Sequence, residues 1–312
     1  METLQVAEWP WYYVGIYFFL GGIAAGAYLI STIADLFGDS EEDAPLIKMG
    51  YYLATILLII CALLLILDLG QPGRFWRMLT QFKLLSPVSL GSWGLTLFGL
   101  FAGLLTAIWL AEDGYLEKGR LKSFSSLASP LRSLPRKVLA VIGGFFGIFV
   151  AGYTGVLLSS TTNPFWAGNQ LLGISFLVSA LSTAIALVSI LLIWRGHSKL
   201  IVLHNFRDLW LVVLGFEVFL ILWELFHEAG AVLVTGQFLF TFVILVAIVG
   251  VLIPLILLAI KFDKPMSNSM IMVIAILVLI GGFFFRYSVL VAGQQFIGEA
   301  AEHASLLMGL FV

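Results

Sequence analysis

Cysteine and histidine, the usual ligands of redox centres, are scarce in this chain of 312 residues. The single cysteine, Cys61, excludes an internal disulfide, an iron–sulfur cluster and a c-type haem attachment. There are four histidines, and only His227 falls within or at the end of an apolar segment. A membrane b-type haem takes two axial histidines from facing helices, so we expect no haem in this chain.

Charged residues are also rare. They make up 11% of the chain, whereas hydrophobic residues make up 61% and the mean hydropathy is +1.07. A soluble domain carries about a quarter charged residues, so most of this chain is expected to face lipid. Lipid leaves backbone groups without partners outside a helix or a closed barrel. The apolar segments are long and continuous rather than alternating, and they predict an all-α polytopic membrane protein.

Eight apolar segments are long enough to cross a hydrocarbon core, which takes about 20 helical residues. The uncharged run at residues 138–194 counts as two of them, because a polar turn ending in Pro164 interrupts it. We predict one transmembrane domain over residues 1–312, made of two four-helix bundles. Gly22 and Gly26 are spaced for close helix packing. The predicted spans are residues 11–37, 46–69, 87–110, 136–159, 168–194, 208–228, 237–260 and 268–292.

Basic residues in the loops predict the orientation, because cytoplasmic loops carry the excess of Lys and Arg. Both termini and the loops after spans 2, 4 and 6 share one side, where Arg74, Arg77 and Lys83 are the basic residues. The other side holds twelve. We therefore expect both termini on the outer side of a bacterial or archaeal cytoplasmic membrane. Lipid is the expected surrounding, and no nucleic-acid partner is expected.

Ionisable residues inside spans are costly in hydrocarbon and usually mark a cavity, an ion pair or a pathway. Asp68 ends span 2. On span 6, Glu224 and Glu228 lie about 20° to either side of Glu217, so the three carboxyl groups form one stripe. Arg286 in span 8 lies at nearly the depth of Glu224, which predicts a buried structural ion pair. One arginine does not neutralise three carboxylates, and some of them are expected to be protonated.

Short motifs follow one another in order along the whole chain. The first span contains Gly-Gly-Ile-Ala-Ala-Gly at residues 21–26, and span 2 is followed by Leu-Asp-Leu-Gly-Gln-Pro-Gly-Arg-Phe-Trp at residues 67–76. Span 3 begins with Ser-Pro-Val-Ser-Leu-Gly-Ser-Trp at residues 86–93. Span 4 contains Gly-Tyr-Thr-Gly at residues 152–155, and span 8 contains Arg-Tyr-Ser-Val at residues 286–289. The ordered set resembles the NrfD/PsrC family, the membrane subunit of polysulfide-reductase-type complexes.

The resemblance implies a haem-free subunit that binds a quinone, either menaquinone or ubiquinone, near the outer surface. Such subunits exchange electrons with a four-cluster iron–sulfur, ferredoxin-like protein that feeds a molybdopterin catalytic subunit. The motifs align Tyr153 with a quinone-contacting tyrosine, whereas Tyr17 stands where polysulfide reductase has a histidine. By depth, Asp68, Glu224 and His227 are predicted to line the same cavity. Tyrosine and histidine donate to quinone carbonyls, and a carboxylate accepts a quinol proton.

A proton path is a further expectation from the carboxylate stripe. It runs from the quinone pocket through Glu224 and Glu217 toward Asp208 and Asp35 at the cytoplasmic side, and it couples quinone chemistry to the membrane potential. The alternatives stay open. Glu217 also fits a protonated packing residue, and either tyrosine also fits an interfacial anchor.

A secondary transporter or proton-translocating channel is the rival interpretation, because a buried carboxylate stripe fits those classes equally well. Transporters are typically built from inverted repeats with helices broken at the midplane, and neither is evident in the sequence. A passive anchor does not need the stripe. The sequence favours a subunit of a quinone-linked oxidoreductase complex, and the chain alone is expected to be inactive.

Overall fold

The computed structural model describes residues 9–39, 41–83, 86–118, 122, 125–200, 206–226, 230–260 and 266–309, with the backbone alone at 128, 237 and 296–309. Helices account for all regular structure in these ranges, and eight of them are long and apolar enough to cross a membrane. The predicted all-α polytopic fold is therefore confirmed. The eight helices are α1 (Val14–Phe37), α2 (Ala44–Asp68), α3 (Pro87–Glu112), α4 (Arg136–Ser159), α5 (Leu172–Trp194), α6 (Phe206–Phe226), α7 (Leu239–Ile260) and α8 (Asn268–Gly309).

The helices begin within four residues of their predicted starts, and α8 continues well past its predicted end at residue 292. Serine at the N-cap and proline in the first turn begin α3, because Ser86 accepts the Ser89 N–H and Pro87 needs no acceptor for its nitrogen. Shorter helices lie in the connections: Pro72–Arg74, Trp76–Thr80, Tyr115–Glu117, Ala128–Arg132, Pro164–Ala167, Gly230–Val234 and Gly236–Phe238.

Successive helices run in opposite directions. Cys61, late in α2, lies with its Sγ 3.8 Å from the Tyr17 carbonyl, early in α1. Lys48, early in α2, forms an ion pair with Asp113, which directly follows α3. We call the end of the bundle with the start of α1 the N-terminal side, and the other end the opposite side.

Large apolar side chains cover the outside of the bundle. Phe145 of α4 is 67% exposed, and Val212 of α6 and Ile260 of α7 are exposed to a similar degree. In water such a surface is unstable, whereas hydrocarbon is a good solvent for it. These faces are therefore the lipid-facing surface of the protein.

Helix α1 lies at the centre, and most of its residues are buried. Its Gly26 touches α5 so closely that a Cβ there would lie 2.5 Å from the Ala184 Cβ and 2.6 Å from the Ala180 carbonyl oxygen. The close packing predicted from Gly22 and Gly26 thus joins the first four helices to the last four.

The segment before α1 is fixed to the end of the bundle. The Trp9 N–H donates to the Gln294 side-chain oxygen over 3.0 Å, and the Gln294 amide donates back to the Trp9 carbonyl over 3.1 Å. The Trp9 ring stacks on Trp166, whose indole N–H donates to the Val289 carbonyl over 2.8 Å. The start of the described chain, the turn before α5 and the late part of α8 are therefore held together.

The first part of α7, Leu239–Leu252, has π-helical hydrogen bonding, and Ile253–Ile260 continues it as an α-helix. Long π-helical segments are rare. Gly250 in this segment lies against Gly281 of α8, where a Cβ would overlap the Gly281 Cα. The backbones of α7 and α8 are thus in direct contact.

Replacing Gly26 with Ala is expected to lower the free energy of unfolding by about 1–3 kcal/mol, because the added methyl group meets the α5 backbone. Thermal unfolding of the purified protein in detergent measures the change. Gly103→Ala is the matched control, because nothing lies within 4 Å of its Cβ position. The control is expected to gain up to about 1 kcal/mol. Equal stability of the two variants would contradict the close α1–α5 contact.

Candidate functional site

Two carboxyl groups of α6 face hydroxyl groups of α5. The Ser175 hydroxyl donates to Glu224 over 3.0 Å, and the Ser182 hydroxyl donates to Glu217 over 2.8 Å. We call these pairs the first and second rungs of a polar ladder. The rungs are seven residues apart on each helix, about two turns. Glu224 is 2% exposed and Glu217 is 7% exposed, so both rungs lie in the interior.

Asn169 completes the first rung. Its side-chain amide donates to the second carboxyl oxygen of Glu224, and its own side-chain oxygen accepts the Leu171 N–H over 3.3 Å in the turn before α5. Asn169 is itself 2% exposed. Both oxygens of Glu224 are therefore paired without a cation, as a buried carboxyl group requires.

Arg286 of α8 is the buried cation of the site, with 1% exposure. Its Nε donates to the Phe18 carbonyl of α1 over 3.1 Å. One Nη donates to the Ser179 hydroxyl of α5 over 3.0 Å and to the Gly282 carbonyl over 2.8 Å. The other Nη donates to the Phe176 carbonyl over 3.4 Å. The guanidinium group thus joins three helices, and its buried charge is stabilised by oxygen acceptors.

The ion pair expected between Glu224 and Arg286 does not form. In the part of the chain that is described, no salt bridge joins Arg286 to either carboxylate, and Asn169 and Ser175 occupy Glu224. The guanidinium group interacts electrostatically with Glu217, although the two groups are not within salt-bridge distance. Arg286 and Glu224 were expected to pair because they lie at a similar depth in the membrane. They do not meet, because Arg286 points from α8 toward α1 and α5.

A small cavity lies beside the second rung, between α5, α6, α7 and α8. Its volume of about 20 Å³ gives room for about one water molecule. Hydroxyl and carboxyl groups line one wall, and aliphatic and aromatic groups line the other. The lining includes Ser175, Ser179, Ser182, Glu217, Ile221 and Phe285.

Tyr17, in the first turn of α1, and Tyr153, in the last part of α4, both lie toward the N-terminal side, and we call them the tyrosine pair. Tyr17 is 5% exposed, and its hydroxyl has no hydrogen-bond partner among the residues that the structure describes. The Tyr153 hydroxyl donates to the Pro87 carbonyl over 2.5 Å, and its ring stacks on Phe149. Gly91 makes room for this ring, since a Cβ there would overlap it.

The other residues predicted for the quinone cavity are placed differently. Asp68 is the last residue of α2 and is exposed at the N-terminal side. His227 lies outside the described residues. Glu224 belongs to the ladder, which adjoins the tyrosine pair through Phe18. Phe18 follows Tyr17, and its ring centroid lies 5.8 Å from that of Phe176 on α5. Its backbone carbonyl accepts a hydrogen bond from the Arg286 Nε.

The two predicted end points of the proton path lie on different helices, α1 and α6, at the opposite side. Asp35 is fully buried and forms an ion pair with Arg136 at 3.1 Å, although the contact lacks hydrogen-bond geometry. Arg136 also pairs with Glu112 at 3.1 Å, which ties α1, α3 and α4 together. Asp208 lies in the first turn of α6, and its side chain is 49% exposed.

Metal ligands are not clustered in the described ranges. They contain no group of three or more His, Cys, Asp or Glu side chains that could hold an ion. Cys61 is buried against the Tyr17 carbonyl.

A family model described as "Polysulphide reductase, NrfD" matches residues 2–298. The chain belongs to this family. A polysulfide reductase chain from Wolinella succinogenes is 28% identical over 96% of this protein and 98% of the relative. Protein NrfD of Escherichia coli is 25% identical over 93% and 95%. A selenate reductase subunit from Mesobacillus selenatarsenatis is 26% identical over 60% of this protein and 48% of the relative. The resemblance drawn from the ordered motifs is confirmed.

The hydroxyl side of the ladder in this NrfD-family protein was not predicted. Single serines are common in membrane helices, where their hydroxyls bond to the helix backbone. One serine alone therefore does not indicate a contact with another helix. The spacing of the serines does indicate such a contact. Ser175, Ser182 and Ser189 recur every seven residues on α5, matching the seven residues between Glu217 and Glu224.

Arg286→Lys is expected to lower the free energy of unfolding by about 2–4 kcal/mol. A lysine keeps the charge, but its single nitrogen cannot reach the acceptors on α1, α5 and α8 together. Unfolding in detergent measures the change, with Arg74→Lys in an exposed loop as the control. If both variants are as stable as the parent protein, the guanidinium group does not hold the three helices together.

Proposed function

We propose that this protein is the quinone-binding membrane subunit of a respiratory oxidoreductase complex. In this proposal it has no haem or cluster, and it exchanges electrons with an iron–sulfur, ferredoxin-like partner that serves a molybdopterin catalytic subunit. Family membership supports a place in such a complex, since two relatives are named as parts of polysulfide and selenate reductases. The distribution of basic residues supports the N-terminal side as the outer side.

The buried tyrosine pair carries the proposed quinone site. A quinone carbonyl accepts hydrogen bonds, and Tyr17 is a buried side chain whose hydroxyl has no partner in the described part of the chain. Pro87 and Phe149 already hold the Tyr153 side chain in place, so this side chain loses little conformational entropy when a quinone binds.

The groups around the pair have proposed roles in proton transfer. Quinol oxidation releases two electrons and two protons. Glu224, the carboxyl group at the end of the ladder nearer the N-terminal side, is proposed to accept one proton. Asp68 and His227 are proposed to line the entrance from the N-terminal side.

Tyr153→Phe is expected to slow quinol-dependent turnover of the intact complex about tenfold. Because the phenol hydrogen is donated to the Pro87 carbonyl, the Tyr153 oxygen is proposed to accept a hydrogen bond from a quinol hydroxyl, which is worth about 1.4 kcal/mol. The ring still fits between Phe149 and Gly91, so assembly is expected to be unchanged. Turnover over a full quinol titration measures the effect.

Tyr28→Phe is the matched control. Tyr28 is buried in α1, like Tyr17, but its hydroxyl donates to the Leu139 carbonyl, away from the proposed site. The control is expected to turn over normally. Unchanged kcat and KM in Tyr153→Phe would remove this hydroxyl from the quinone site.

We further propose that protons leave the quinone site along the ladder toward the opposite side. Glu224 and Glu217 are seven residues apart, about 10 Å along α6. Ser175, Ser179, Ser182 and the water-sized cavity lie between and beside them, and hydroxyl groups both donate and accept. The proposed end point is Asp208. Asp35 is a less direct end point, because Arg136 holds it between α1 and α4.

Glu217→Gln tests the path. Glutamine keeps the acceptor oxygen for Ser182 but does not exchange a proton. In vesicles, the number of protons moved per quinol oxidised is expected to fall to near zero, or turnover to slow about tenfold or more. Glu117→Gln at the surface is the control, since this side chain is 50% exposed.

Other outcomes separate the alternatives. Normal proton movement in Glu217→Gln would leave Glu217 as a packing residue. Proton conduction by vesicles without quinol, abolished by the same variant, would instead support the proton-translocating channel.

A further inference from the structure

The spacing of the ladder continues beyond its second rung. The two rungs are related by a step of seven residues forward on α5 and seven residues back on α6. The same step leads from Ser182 to Ser189 and from Glu217 to Trp210. Because seven residues span about two turns and about 10 Å, this spacing assigns Ser189 and Trp210 to matching positions on the two antiparallel helices, beyond Glu217 toward the opposite side.

Both residues carry a buried polar atom without a partner. Ser189 is 0% exposed and Trp210 is 1% exposed. Within the described ranges, neither the Ser189 hydroxyl nor the Trp210 indole N–H has a hydrogen-bond partner. Buried polar groups are costly to leave unpaired, and buried water is their usual partner when protein groups are out of reach. Two such groups at matching positions of one interface point to a water-binding site between them.

We propose that Ser189 and Trp210 hold a water molecule as a third rung of the ladder, and that this rung passes protons between Glu217 and Asp208. The second part rests on the proton path proposed above. The indole N–H only donates, so Trp210 orients the water through its oxygen. The Ser189 hydroxyl both donates and accepts. It takes up one proton as it releases another, and it returns to its neutral form.

The position of the third rung fits this role. Trp210 is two residues from Asp208, about 3 Å of helix rise but about 200° around α6. Asp208 is paired with Arg207 over 3.1 Å, and its side chain is 49% exposed, so water at the start of α6 has to connect the third rung to it. From Glu217 to the third rung the distance is about 10 Å. Ala186 lies on the same face of α5 between Ser182 and Ser189 and is fully buried. Its methyl group neither donates nor accepts a proton, so the proposed path needs water between Glu217 and the third rung.

The test uses Ser189→Ala and Trp210→Phe in the intact complex, reconstituted in vesicles. Each variant is expected to slow proton translocation relative to quinol oxidation about tenfold. Ser288→Ala is the matched control. Its hydroxyl is also 0% exposed and without a partner in the described part of the chain, but it lies on α8, outside the ladder. The control is expected to translocate protons like the parent complex.

A structure of the complex at a resolution that shows water gives a readout independent of activity. A water within about 3 Å of both the Ser189 hydroxyl and the Trp210 nitrogen is expected. A dry interface, or protein partners for both atoms, would overturn the site. Normal translocation in both variants while Glu217→Gln is blocked would overturn the third rung but leave the proposed path. Normal translocation in Glu217→Gln as well would overturn the path itself, and the water would then be structural.

Discussion

One buried positive charge fixes the relative positions of three helices. The Arg286 guanidinium group donates to Phe18 of α1, to Ser179 of α5 and to Gly282 of its own helix. A charge without such acceptors is very costly in an interior surrounded by hydrocarbon. Loss of any one of these hydrogen bonds is therefore expected to destabilise the packing of all three helices. Gly22 allows them, because a Cβ there would lie 2.8 Å from the nearest guanidinium nitrogen.

The same contact relates the two parts of the candidate site. Phe18, whose carbonyl accepts from Arg286, follows Tyr17 of the tyrosine pair. Ser179, which accepts from the same side chain, lies between Ser175 and Ser182 of the ladder. A shift of α8 would therefore move both parts together. In the proposed function, this rigidity holds the proton-accepting groups at a constant distance from the quinone.

Much of the fold and part of the site were predictable from the sequence. Membrane spans follow from hydropathy, because length and continuity distinguish them. The alignment of Glu217 with Glu224 follows from helical geometry alone, and both carboxyl groups are buried on one face of α6. Contacts between helices were not predictable in the same way. They depend on the rotation and tilt of each helix, which packing decides.

Two residues show this limit. Arg286 was placed at the correct depth but was paired with Glu224, whereas its acceptors are mostly backbone carbonyls, which a sequence pattern does not distinguish. Asp35 was expected to join the path from Glu217, but it lies between α1 and α4, where it forms an ion pair with Arg136. The contact between the serines of α5 and the carboxyl groups of α6 could have been predicted, because the serines recur every seven residues, as the carboxylates do.

Helix α8 makes two contacts around the start of α1. It supplies Gln294 to the backbone of Trp9 and Arg286 to the carbonyl of Phe18. Since a protein is made from its N-terminus, α1 enters the membrane long before either partner has left the ribosome. Its glycine-rich face must therefore remain compatible with lipid or with transient neighbours until almost the whole protein has been synthesised. The start of α1 is therefore held in place only after α8 has been made.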